Sequence, residues 1–154
     1  MTMDPTSEVF PPNNALKVFE PVIGVWDTVG THPMVDSPLH GRASFEWHES
    51  GAFIIQHTSI EDSRFPDGVA IFASDDALGI HSMVYFDERG VSRIHQVRMD
   101  GNVLRWWRDA PGFSQRYSLT ISEDQQSMVG KGELSKDGVT WEKDLDLNYT
   151  RTKT

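Results

Sequence analysis

Cysteine is absent from all 154 residues. That excludes disulfides, thiolate nucleophiles and thiolate metal sites, and mildly favours a reducing compartment. Runs of Lys or Arg are also missing: 14 basic residues stand against 23 acidic ones, for a net charge of −9. Such a surface repels phosphate backbones and anionic lipid, so neither nucleic acid nor a membrane is an expected partner. No stretch approaches the roughly 20 apolar residues of a membrane helix. The N-terminus, Met-Thr-Met-Asp-Pro-Thr-Ser-Glu, has no positive region and no apolar core. It does not read as a signal peptide, and the expected compartment is the cytoplasm. There is no Gly-x-Ser-x-Gly elbow and no His-x-x-x-His pair, so nucleophilic hydrolysis and a helical zinc site have no support. No cofactor and no metal are implied.

The length suits one domain, and a chain of this size can bury a core without covalent staples. Residues 1–12, ending in Pro11-Pro12, read as a flexible arm, with one domain over 13–151. Asn13-Asn14 can cap a short helix through Ala15, Leu16, Lys17, Val18 and Phe19, which Pro21 is expected to end. From Val22 onward, short runs rich in Val, Ile, Phe, Tyr, Trp and Thr alternate with Gly, Asp, Asn and Pro clusters. This pattern predicts ten strands, over 23–32, 41–48, 52–61, 68–74, 80–87, 91–99, 103–109, 113–121, 127–135 and 140–150. Glu49-Ser50-Gly51, Asp87-Glu88-Arg89-Gly90, Asp100-Gly101-Asn102 and Lys136-Asp137-Gly138 have hairpin-turn chemistry. Short loops make neighbours antiparallel, and only 62–67, with Pro66, reads as a longer connection. Ten hairpin-linked strands form a meander, and closure removes its two unpaired edges. The expected fold is therefore all-β, a closed antiparallel up-and-down barrel with room for a ligand.

Side chains alternate faces along a strand. On the last strand Trp141, Leu145, Leu147 and Tyr149 are expected inside, with Lys143 interrupting, and Glu142, Asp144, Asp146 and Asn148 outside. Ala43, Phe45 and Trp47 share an inner face, as do Phe113, Gln115, Tyr117, Leu119 and Ile121. Placing Val91, Val97 and Met99 inside carries Arg93 and His95 with them. Periodicity does not orient 52–61, 68–74 or 80–87, and of the adjacent Trp106 and Trp107 one must face out.

Gly24-Val25-Trp26, followed by Gly30-Thr31-His32-Pro33, resembles the Gly-x-Trp opening of calycin-type barrels, in which the tryptophan closes one end, and that of nitrobindin-like barrels. The stretches Tyr85-Phe86-Asp87-Glu88-Arg89-Gly90-Val91-Ser92-Arg93, Trp107-Arg108-Asp109-Ala110-Pro111-Gly112-Phe113-Ser114-Gln115-Arg116 and Asp144-Leu145-Asp146-Leu147-Asn148-Tyr149-Thr150-Arg151 resemble a group of uncharacterised bacterial lipocalin-like proteins. The resemblance spans about residues 20–151. It implies a ten-stranded barrel with a small-molecule cavity. The haem of nitrobindin-like barrels is held by a histidine near the C-terminal strand. Residues 140–150 contain none, so that site does not carry over.

Trp26, Phe45, Trp47, Tyr85, Arg93, His95, Trp107, Gln115, Tyr117 and Tyr149 are the candidate ligand-binding residues: apolar walls with few polar groups. Aromatics of this kind equally well fill a dry core. Arg93, Arg108 and Arg116 are candidates for reading an anionic head, since a guanidinium inside a barrel needs a partner. A structural ion pair with Asp87 or Asp109 is the plainer role. His57, His81 and His95 could make an open three-imidazole metal site only if all point inward at one level. Each is otherwise a surface or half-buried histidine, as His48 is expected to be. Tyr85, Asp87, Arg93 and His95 could form an acid–base cluster or an ordinary turn-stabilising network. The leading expectation is a barrel binding a hydrophobic or amphipathic small molecule. The others are an enzyme using His95 with Tyr85 or Asp87, and a filled barrel pairing as a homodimer.

Overall fold

The computed structural model describes residues 13–152. The expected arm, 1–12, lies outside the described residues. A 3₁₀ helix over Asn14–Val22 precedes ten strands: β1 Gly24–Thr31, β2 Leu39–Trp47, β3 Ile54–Ile60, β4 Gly68–Asp75, β5 Ile80–Asp87, β6 Ser92–Asp100, β7 Val103–Arg108, β8 Ser114–Ile121, β9 Ser127–Ser135 and β10 Glu142–Arg151. All ten expected strands are present, with ends shifted by at most two residues. Each pairs antiparallel with its chain neighbours, and β1 pairs with β10 (Trp26 opposite Arg151, Thr28 opposite Tyr149) to close the barrel.

Asn13 caps the helix, its side chain accepting from the Ala15 N–H at 3.0 Å. Pro21 does not end it; the helix runs to Val22. A 3₁₀ turn accepts the fixed φ of proline, and only the missing N–H is lost. The helix lies across one end of the barrel. Leu16, Phe19 and Val22 are fully buried there, against a core that includes Trp26, Phe45, Ile54, Phe72, Leu104 and Leu119. Three polar ties fix it. Asn13 Nδ2 donates to Ser74 Oγ at 3.0 Å, His81 Nε2 donates to the Ala15 carbonyl at 2.7 Å, and Trp26 Nε1 donates to the Val22 carbonyl at 2.9 Å. Arg151 lies over the Trp26 ring, 4.2 Å from its centroid, and donates to the Ile23 and Pro21 carbonyls.

The connections 32–38, 61–67, 88–91, 109–113 and 136–141 gather at the opposite end. The first of these is a second long connection, which the sequence pattern did not signal. Two expected orientations need correction. Asp144 does not face solvent. The β9–β10 register shifts between Lys143 and Asp146, and this irregularity turns both Asp144 and Leu145 toward the interior. Trp141 does not face in. It precedes β10 and lies under the exposed Arg116 guanidinium, 3.8 Å from its ring centroid, where Arg116 pairs with Glu133 across the outer face.

Candidate functional site

The half of the barrel away from the helix is hollow. A cavity of about 520 Å³ opens between the loops at that end. It is walled by Ala70, Met83, Trp106, Leu145 and Leu147 and rimmed by His32, Met34, Arg64, Phe65 and Phe113. Cavities of this size suit small-molecule ligands.

The strand period explains which side chains reach it. β5 turns Met83 and Tyr85 in and leaves Ile80 and Phe86 exposed. β3 and β4 turn in Gln56 and Thr58, and Gly68 and Ala70. β6 presents Arg93, His95 and Val97 to the inside and Ile94, 70% exposed, to the outside. On β8, Gln115 and Tyr117 face in.

Of the candidate residues, Tyr85, Arg93, His95, Gln115, Tyr117 and Tyr149 line this cavity. Trp26 and Phe45 do not: both are fully buried in the packed half beneath the helix. Trp47 packs half-buried against that same core. Trp107 must be corrected to Trp106. Trp106 stands opposite the inward Tyr117 and stacks on it, ring centroids 4.7 Å apart, whereas Trp107 stands opposite the exposed Arg116. The signal was available. With Gln115 and Tyr117 inside and the loop centred near Pro111-Gly112, antiparallel pairing places Arg108 and Trp106 inside. Arg116 is likewise outside, so of the three arginines only Arg93 and Arg108 share the inner face. Thr28, Gln56, Ala70 and Met83 also face the cavity; the sequence pattern does not mark them, because the strands of Gln56 and Ala70 are nearly continuous apolar runs.

The histidines do not converge. His57 is exposed on the outer face, His81 ties down the helix, and His95 lines the cavity. Among the described residues no group of three or more His, Asp or Glu side chains could hold a metal. His48 is half-buried, as expected, and stacked on Phe53 at 4.4 Å. His32 sits at the mouth. Its Nδ1 accepts from the Met34 N–H and its Nε2 donates to Asp144 Oδ1, both at 3.1 Å, and its ring meets Phe65 edge-on.

The proposed four-residue acid–base cluster divides in two. Tyr85 donates to Asp87 Oδ2 at 2.8 Å, and Arg89 grips the same carboxylate at 2.7 Å. Arg89 holds Asp87 far below the usual carboxylate range, against its desolvation. Burial, reinforced by the bond to Asp87, pushes the Tyr85 hydroxyl up to about 12. This is a rim-fixing network whose proton is committed.

Arg93 and His95 remain on the cavity wall. Arg93 Nη1 donates to Gln115 Oε1 at 3.3 Å and the guanidinium lies 4.6 Å from the Phe113 ring centroid. Burial and the neighbouring Arg108 both lower its pKa. His95 is 5% exposed, and its Nδ1 has no hydrogen-bond partner. Burial, then the charges of Arg108 and Arg93, lower its pKa to about 4, so the ring is neutral at pH 7. Deeper in, Tyr117 and Tyr149 share an Oη···Oη hydrogen bond of 2.8 Å. Desolvation raises the pKa of both phenols. Gly130 makes room for them, because a Cβ there would collide with the Tyr117 hydroxyl.

A second concavity, about 650 Å³, lies outside the barrel over β2–β5, where Arg42, Glu46, His57, Asp67, Phe86 and Glu88 meet. It is a groove between outward side chains of both charge signs, without the buried polar groups of the interior.

No protein-family profile matches the sequence, and no curated protein matches it. Among solved structures the chain is similar to Rv2717c from M. tuberculosis, at 13% identity and a TM-score of 0.65 over 92% of this chain and 99% of that one. The likeness is one of fold, a closed ten-stranded antiparallel barrel. Such a barrel is compatible with ligand binding. Among the described residues no helix is long and apolar enough to cross a membrane.

Proposed function

We propose that this chain is a lipocalin-like binding protein that takes a hydrophobic or amphipathic small molecule into the open half of its barrel, in the cytoplasm. One observation carries the reading: a 520 Å³ cavity combines aromatic and aliphatic walls with a few inward polar groups, Gln56, Arg93 and Gln115 among them. Close-packed cores leave few voids larger than a water molecule. Walls of this make-up suit a ligand that is mostly apolar and carries a few polar atoms. An acid–base reaction through Tyr85, Asp87 and His95 has less support, since the Tyr85 hydroxyl holds its proton in a hydrogen bond to Asp87 and His95 is a weak base.

The test is titration with the fluorescent probe anilinonaphthalene sulfonate, alongside native mass spectrometry of the protein as purified from cells. Thr58 lines the cavity, so Thr58→Phe projects a ring into it. The expected result is at least a tenfold loss of probe affinity in the variant with its circular dichroism unchanged. Equal affinity in both proteins would place binding elsewhere and end this reading.

A further inference from the structure

Resting on that reading of the cavity, we propose that the wall formed by β6, β7 and β8 at the open end is an oxyanion subsite. Arg93, on the cavity wall, meets the head, and Arg108 adds its charge beside it. The ligand class is then an apolar body ending in a carboxylate or phosphate head.

Charge balance is the first ground. The chain has 23 Asp and Glu residues against 14 Lys and Arg, so acidic neighbours are plentiful. Arg89, Arg42, Arg64, Arg98, Arg105 and Arg116 all have a carboxylate oxygen within 4.0 Å, and Arg151, which has none, is satisfied by three backbone carbonyls. No described carboxylate comes that close to Arg93 or Arg108. Asp87, whose charge reaches Arg93, is already engaged by Arg89 and Tyr85, and Asp109 makes no ion pair with Arg108 within 4.0 Å. Arg93 rests instead on neutral groups, the Gln115 carbonyl and the Phe113 ring. A half-buried cation without a counter-charge costs several times what an exposed one does.

Convergence is the second. Arg93 and His95 are two residues apart on the inward face of β6, and Arg108 stands opposite the inward Gln115 of β8. Arg108 is near enough for its charge to act on both Arg93 and His95. Two like charges gathered beside an imidazole that has stayed neutral are arranged for something negative. A guanidinium reads the two oxygens of such a head together. Trp106, Met83 and Leu147 then meet the body of the ligand.

The experiment compares decanoate, decyl phosphate and decanol, titrated calorimetrically into the intact protein, Arg93→Met and Arg93→Met/Arg108→Met. The expected result is that at least one of the anions binds the wild type tenfold or more tighter than decanol. Arg93→Met should erase most of that preference and the double variant the rest, with decanol affinity unchanged. The preferred anion identifies the head as carboxylate or phosphate. Equal affinity for all three, unaffected by either substitution, overturns the oxyanion subsite and leaves the cavity reading standing. Binding of none of the three, with anilinonaphthalene sulfonate also unbound, overturns both. Thermal unfolding of each variant checks that a lost preference is not a lost fold.

Discussion

The two ends of this barrel are made from the same strands and differ in almost every physical respect. At the closed end the inward positions are Trp26, Phe45, Ile54, Phe72, Leu104 and Leu119, each no more than 1% exposed, with the 3₁₀ helix sealing them. At the open end the same faces of the same strands carry Thr28, Gln56, Tyr85, Arg93, His95, Gln115 and Tyr149 around empty space. The closed end is built for stability. The open end sacrifices packing for polar groups that mostly bond to one another and, at His95 Nδ1 and the two arginines, to nothing of compensating charge. The division falls across each strand rather than between strands, so one continuous hydrogen-bond ladder supports both.

The largest test of that division is truncation. Phe72→Ala in the closed half should cost about 3–5 kcal/mol, as expected for a buried phenylalanine. Trp106→Ala, already facing a void, should cost less than half as much in the same urea titration. Equal losses would show that the open half is as firmly packed as the closed one.

Acid comes next. The folded-state pKa of His95 is about 4, below the roughly 6.5 of an unfolded chain. Between those values the unfolded state binds the proton and the native state does not. His95 therefore contributes stability that is present above pH 6.5 and lost as pH falls toward 4. That loss is up to about 3 kcal/mol. Urea midpoints at pH 7 and pH 4 should fall further for the wild type than for His95→Gln. A matching fall in both would mean that His95 is more solvated than its 5% exposure indicates.

Gly130→Ala should cost about 1–3 kcal/mol by overpacking the tyrosine pair. The companion Tyr117→Phe, which removes the hydroxyl that the new methyl meets, should restore part of it. A double-mutant cycle with no coupling would contradict that contact. Smaller still, Arg93→Met should leave stability unchanged or raise it by up to about 1 kcal/mol, since it removes an uncompensated cation. The exposed Arg42–Asp27 pair marks the floor: Asp27→Asn should not shift the unfolding midpoint measurably.

Much of this was legible before the fold was known, for identifiable reasons. Where an apolar residue alternates with a polar one, as in Ala43-Ser44-Phe45-Glu46-Trp47, the inward face is readable; Arg93-Ile94-His95-Gln96-Val97 lacks that alternation, and only its apolar neighbours orient it. The choice of Val97 and Met99 as core carried Arg93 and His95 correctly to the interior. Where alternation failed, so did orientation. Ile54-Ile55 and Ala70-Ile71-Phe72 are apolar on both faces. The pair Trp106-Trp107 was decided by the register with β8, not by either residue. Asp144 looked solvent-facing because a strict period of two cannot represent the irregularity between Lys143 and Asp146. The 32–38 loop carries two prolines and a Met but no tight-turn signature, so its length went unread.

The sequence by itself determined the strands, their turns and the closed meander, because backbone pleating and turn chemistry are local and each is written in a few consecutive residues. Tertiary structure decided how deep each inward side chain lies. Trp26 and Tyr149 both face inside, yet one packs beneath a helix and the other borders a cavity. That difference depends on strand register and on which barrel end the helix covers, and both arise from contacts between residues more than a hundred positions apart, as where Arg151 grips Pro21 and Ile23.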